Sequence, residues 1–170
     1  MNDPILQDTL HWVRDTVVRL RLCPFAAAPL AQGRVAYLAC PEAEHEAAFY
    51  WAGTQVQALL ETERSVTETA LLVFPGGLDD FSEFMGFVGA LEEFLMDSGA
   101  DYYLQLAHFH PDYVFADADE DDPANATNRS PYPTVQLLRT QSVSEAVAGY
   151  GDTSRIHERN VALYRGKLSE

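Results

Sequence analysis

The residues with most chemical capacity lie at two points of the chain, around Cys23 and between His108 and Tyr132. His108 and His110 are two apart in an apolar run, so on a strand both side chains point to one face. With Asp112 they spell His-x-His-x-Asp, a spacing able to chelate a metal ion. The plain alternative makes His108 a packed core histidine and His110 a hydrogen-bonding residue at a strand end. His11, His45 and His157 fall on predicted helices. Cys23 precedes Pro24. If Pro24 opens a short helix, the sulfur lies at that helix's positive end, which lowers the thiol pKa and favours thiolate. Cys23 would then be a lone nucleophile, with His110 as its base and Asn128 as an orienter. Against this, cysteine is often simply buried. The first helix also runs antiparallel to the strand it feeds, so residues 24–33 would have to carry the chain back toward His110.

The acidic run Asp117, Asp119, Glu120, Asp121 and Asp122 offers carboxylate oxygens for a hard cation, but it lacks the spacing and the glycine of an EF-hand loop. It reads better as a solvated loop. Arg129 is the only cation between His110 and Pro133. Its planar fork would either pair with one of these acids or face a substrate carboxylate or phosphate. Pro75-Gly76-Gly77 matches neither a dinucleotide fingerprint nor a P-loop, and Asp79 and Asp80 beside it would repel phosphate, so it reads as a structural turn.

The elements that must position these residues are readable from periodicity. Asp3 and Pro4 announce a first helix, whose stripe Leu6, Leu10, Val13, Val17 and Leu20 repeats at steps of four and three. Val35 to Cys40 is a first strand. A helix from Glu42 to about Arg64 follows, burying Phe49, Ala52, Val56 and Leu59. Thr69 to Phe74 is a second strand. Asp79 or Asp80 caps a helix with Phe81, Phe84, Val88, Leu91 and Leu95 inward and Ser98-Gly99 at its end. Tyr102 to Phe109 is a third strand, and two strand–helix–strand units in succession imply parallel pairing. Residues 111–133 show no periodicity. Thr134 to Arg139 reads as a helical turn, Ser142 and Glu145 match a capping box, and a last helix spans about Ser154 to Gly166. The expected fold is therefore a single α/β domain over residues 1–170. It has a small, mostly parallel sheet of three or four strands with flanking helices, in the order α-β-α-β-α-β-long loop-α-α.

Composition narrows the function classes. A formal charge of −15 over 170 residues argues against nucleic acid and anionic membrane as partners, since both need a basic footprint. Two cysteines are too few for a secreted disulfide framework, the N-terminus shows no signal-peptide pattern, and no window approaches the roughly 18 apolar residues of a membrane span. A cytoplasmic protein is the expectation. Nothing in the sequence names a cofactor.

Three stretches together carry a family resemblance. They are Leu22-Cys23-Pro24-Phe25-Ala26, then Phe109-His110-Pro111-Asp112-Tyr113-Val114-Phe115-Ala116, and Asn128-Arg129-Ser130-Pro131-Tyr132-Pro133 followed by Leu137-Leu138-Arg139. The chain resembles, from its first helix to Asn160, a bacterial family known as domain of unknown function 1415. The resemblance implies a bacterial cytosolic protein and groups Cys23, His110, Asn128, Arg129 and Tyr132 as one constellation, without assigning a reaction.

The position of the long loop points the same way, because open α/β sheets gather ligands outside the carboxyl ends of their strands. The leading expectation is a small-molecule enzyme, with Cys23 and His110 catalytic and Tyr113, Asn128, Arg129, Ser130 and Tyr132 binding an anionic substrate. The alternative is a non-catalytic binding or assembly module docking a partner protein through the 111–133 loop. The weaker alternative is a metal-dependent enzyme using His108, His110 and Asp112.

Overall fold

Asp3 caps the first helix as its position requires, accepting from the Ile5 amide at 2.9 Å, with Pro4 in the first turn. The computed structural model describes residues 3–167. Helix α1 (Pro4–Trp12) passes directly into a π-helical stretch, Val13–Val18. There the amides of Arg19 and Leu22 reach back five residues, to the carbonyls of Arg14 and Val17. The wider turn displaces the apolar stripe by one residue. Arg21, in the left-handed region at φ 54°, then turns the chain toward Cys23.

A short helix α2 (Ala27–Ala31) leads into β1 (Val35–Ala39), followed by α3 (His45–Glu61), β2 (Thr69–Val73), α4 (Phe81–Ser98) and β3 (Leu104–Phe109). Asp80 caps α4 by accepting from Glu83 N at 2.9 Å, and Gly99 ends it at φ 72°, as its sequence signals indicate. β1 and β2 pair in parallel. One face of the sheet carries Ala70, Leu72, Phe74, Leu104, Val135 and Leu137 against Ala52, Val56 and Leu59 of α3 and Phe84, Val88, Leu91 and Leu95 of α4. Each large side chain buried there contributes about 1.5–3 kcal/mol by leaving water.

Two expectations are corrected here. Thr134–Arg139 is strand β4, not a helical turn. Its inward Val135 and Leu137 alternate with Gln136 and Leu138, a period of two that a six-residue run shows only weakly. The sheet order is β1-β2-β4-β3, and β4 runs antiparallel to both neighbours. The sheet is therefore mixed, not mostly parallel. The crossover through α4 sets β3 one strand-width away from β2, and the chain returning from the long loop fills that gap from the opposite direction. Pro133 O accepts from Phe74 N at 2.9 Å where it enters.

Helix α5 (Thr140–Tyr150) follows β4 without a break, with Arg139 at its N-cap position and no side-chain cap, so Ser142 and Glu145 do not form the expected box. Helix α6 (Ser154–Lys167) packs on the 3-10 turn Pro123–Asn128 of the long loop. No described helix is long and apolar enough to cross a membrane.

Candidate functional site

Proline and asparagine order the loop between His110 and Pro133. Asp122 caps the 3-10 turn, accepting from Ala124 N at 2.9 Å, with Pro123 in its first position. Asn125 is fully buried at the loop's centre. Its Oδ1 accepts from Phe115 N at 3.0 Å, and its Nδ2 donates to the carbonyls of Asp119 and Glu120 at 2.8 and 3.3 Å. Arg129 donates to the carbonyls of Tyr113 and Glu120, both at 3.3 Å, so its fork spans the loop. Ser130 Oγ donates to Tyr132 O at 2.6 Å, and Tyr132 reaches Asp8 of α1 at 3.2 Å. Tyr113 is buried, stacked on His108 at 5.6 Å and edge-on to Phe115, whose other side meets His157 of α6. The loop's aromatics thus turn inward.

His110 is wholly buried, its ring between Phe81 and Phe84 of α4. Nδ1 accepts from Asp112 N and Nε2 donates to Leu78 O, each at 3.0 Å. Both nitrogens are committed, an arrangement that places the donated proton on Nε2. Neither nitrogen of His110 offers a free lone pair, and among the described residues no group of three or more His, Cys, Asp or Glu side chains is placed to hold a metal ion. His108 stands on the same sheet face, its Nδ1 buried without a partner among the described residues, and burial lowers its pKa.

A cavity lies on the opposite face. Its floor is Val35, Thr69, Leu71, Ala107, Phe109, Gln136 and Leu138, the alternate positions of all four strands. The α1–π segment covers one side through Trp12, Val13 and Val17, with the Trp12 and Phe109 rings edge-on at 5.1 Å. The Cys23–Ala26 turn and Ser142, Val143 and Ala146 of α5 close the rest, around a volume of about 630 Å³. That is within the range typical of small-molecule sites. The cavity runs the length of the strands, from Phe109 and Asn128 at the carboxyl end of β3 to Arg34 and Thr69 at the amino ends of β1 and β2.

Cys23 and Asn128 both line this cavity. Cys23 is held there by Asn160 of α6, which donates to Leu22 O at 2.7 Å. Burial pushes its thiol pKa up, and the Phe25 and Ala26 amides that hydrogen-bond the sulfur oppose this only in part. The sequence argument for a lowered pKa fails because Pro24 lies in a turn and α2 begins only at Ala27. Asn128 donates to His108 O at 3.3 Å, and its own carbonyl accepts from His110 N at 3.2 Å. Cys23 and His110 are not brought together, because the sheet separates them.

A family model described as Protein of unknown function (DUF1415) matches residues 4–170. The chain belongs to that family. No curated protein matches it. No solved structure matches it either. Within this family member, the first and third motifs meet at the cavity through Cys23 and Asn128, whereas His110, Arg129 and Tyr113 hold the loop and the α4 face.

Sequence reasoning missed the charged end of the cavity. Arg34 Nη1 lies 2.7 Å from Glu68 Oε2 in an ion pair without hydrogen-bond alignment. Arg64 Nε bonds Glu68 at 3.0 Å, and its Nη1 bonds Glu145 of α5 at 2.6 Å. Arg139 Nη2 donates to the carbonyls of Leu59, Thr62 and Thr67, between 2.6 and 3.0 Å, closing the C-terminal end of α3. The signals were slight: Arg34 and Arg139 flank strands, and Arg64 and Glu68 stand at i and i+4.

Proposed function

We propose that this protein binds a small organic molecule in the cavity between its sheet and the α1–π and α5 segments. The carrying observation is the cavity itself: a strand-long, mainly apolar floor broken only by the hydrogen-bonded pair Thr69 and Gln136, with Cys23 and Asn128 in the wall and charged groups at one end only. Two polar atoms in its lining, Trp12 Nε1 and Ser142 Oγ, are buried without a partner among the described residues, a costly arrangement that an occupant with hydrogen-bonding groups would relieve. Binding is better supported than cysteine–histidine catalysis. No histidine is among the lining residues, and the Cys23 thiol is pushed toward its protonated form.

Nile red, a neutral apolar dye, tests this. The protein should bind it saturably with one site and a fluorescence gain. Ala107→Trp, which fills the floor from β3, should abolish the gain while leaving the thermal unfolding transition cooperative. Non-saturable binding, or binding untouched by Ala107→Trp, would remove the cavity reading.

A further inference from the structure

The charged end of the cavity carries an imbalance that names its ligand. Arg34, Arg64 and Arg139 all line it, against two carboxylates among the described residues, Glu68 and Glu145. Glu68 is nearly buried and shared by Arg34 and Arg64. Arg139 bonds three backbone carbonyls and no side-chain carboxylate among the described residues, and its burial lowers its pKa. Among the described residues the lining's formal charges at this end therefore sum to one positive, in a chain whose net charge is −15. The carbonyls at the C-terminal end of α3 meet Arg139 with partial charge only, so an added anion at the site would be stabilised.

Glu145 shows where that anion would sit. Its side chain is 52% exposed, and it meets Arg64 from the far side of the cavity mouth on α5, a helix with no buried residue. An exposed ion pair of this kind is weak, and another carboxylate can replace it on Arg64. The apolar floor extends from this point along the strands to Phe109.

Resting on the cavity-binding reading above, we propose that the ligand is an elongated amphipathic carboxylic acid. Its carboxylate bonds Arg64 in competition with Glu145, with Arg34 and Arg139 adding positive potential, and its apolar body lies over Leu138, Leu71, Ala107 and Phe109. Binding releases the Arg64–Glu145 tie, so α5 is the element that yields when ligand enters.

The test titrates the full chain at neutral pH with decanoate, decanol and decylamine, by displacement of Nile red and by calorimetry. Decanoate should bind at least about tenfold more tightly than either of the others, the ratio given by one charge-assisted contact. Arg64→Gln should erase that preference. Glu145→Gln should instead tighten decanoate a few-fold, because it removes the competitor. A residue that merely held the fold would not give these two variants opposite signs. Equal affinity for decanoate and decanol overturns the acid head group while leaving the cavity reading intact. Failure of all three to displace bound Nile red likewise overturns it, and absence of Nile red binding defeats both readings.

Discussion

The Leu78 carbonyl accepts a 3.0 Å hydrogen bond from Nε2 of His110, and Leu78 adopts φ 66°, a conformation few non-glycine residues take. The relationship locks the turn before α4 to the end of β3. Gly77 beside it passes so near Ala43 that an added Cβ would come within 2.6 Å of that residue's carbonyl oxygen. The buried imidazole helps hold Leu78 in this strained conformation.

His110→Leu should therefore cost about 2–5 kcal/mol, since it strands Leu78 O and Asp112 N beside a wholly buried ring position. Urea unfolding measures it, and Nile red binding to the remaining folded fraction should be unchanged. A variant as stable as wild type but unable to bind would return His110 to the functional site.

Asn125 does for the loop what a small core would do for a domain. Asn125→Ala leaves Phe115 N and the carbonyls of Asp119 and Glu120 without their side-chain partner and should cost about 2 kcal/mol or more. Limited proteolysis should then cut within residues 111–128, where wild type resists. Equal resistance in the two proteins would show that α6 alone holds the loop.

Cys23 should be slow to alkylate. Because burial holds its pKa up, iodoacetamide near neutral pH should modify it at least about tenfold more slowly than a free thiol, with Cys23→Ser assigning the site. Urea should restore the ordinary rate. Fast alkylation of the native protein would reinstate a reactive thiolate.

His108 should make stability pH-dependent. Burial depresses its folded pKa, with Glu92 partly opposing, so below the ordinary histidine value of about 6.5 the unfolded state binds the proton first. Its stabilising contribution is complete above that value and is lost as pH falls toward the folded pKa. His108→Phe, which keeps a ring against Tyr113, should flatten urea midpoints between pH values above and below that range. An unchanged slope would place the titrating group elsewhere.

Helix and strand positions were legible from sequence where side-chain period spoke clearly, as in the α4 stripe of Phe84, Val88, Leu91 and Leu95 or the cap at Asp80. β4 was not, because its alternation is short and its partners, β2 and β3, lie far away in the chain. The same non-locality hid the site. Motif spelling marked Cys23, His110, Asn128 and Arg129 together, yet a strand shows two faces, and which face a residue serves depends on what packs there.

Taken alone, the amino-acid order settled the family, the α/β class, the caps of α1 and α4 and the apolar row of α4, since these follow from local backbone preference and periodicity. Tertiary structure alone decided that β4 enters antiparallel, that His110 and Cys23 stand on opposite faces, and that Arg34, Arg64 and Arg139 converge. Those outcomes depend on contacts between residues distant in the chain, formed only when burial of both sheet faces outweighs the entropy of closing the intervening loops.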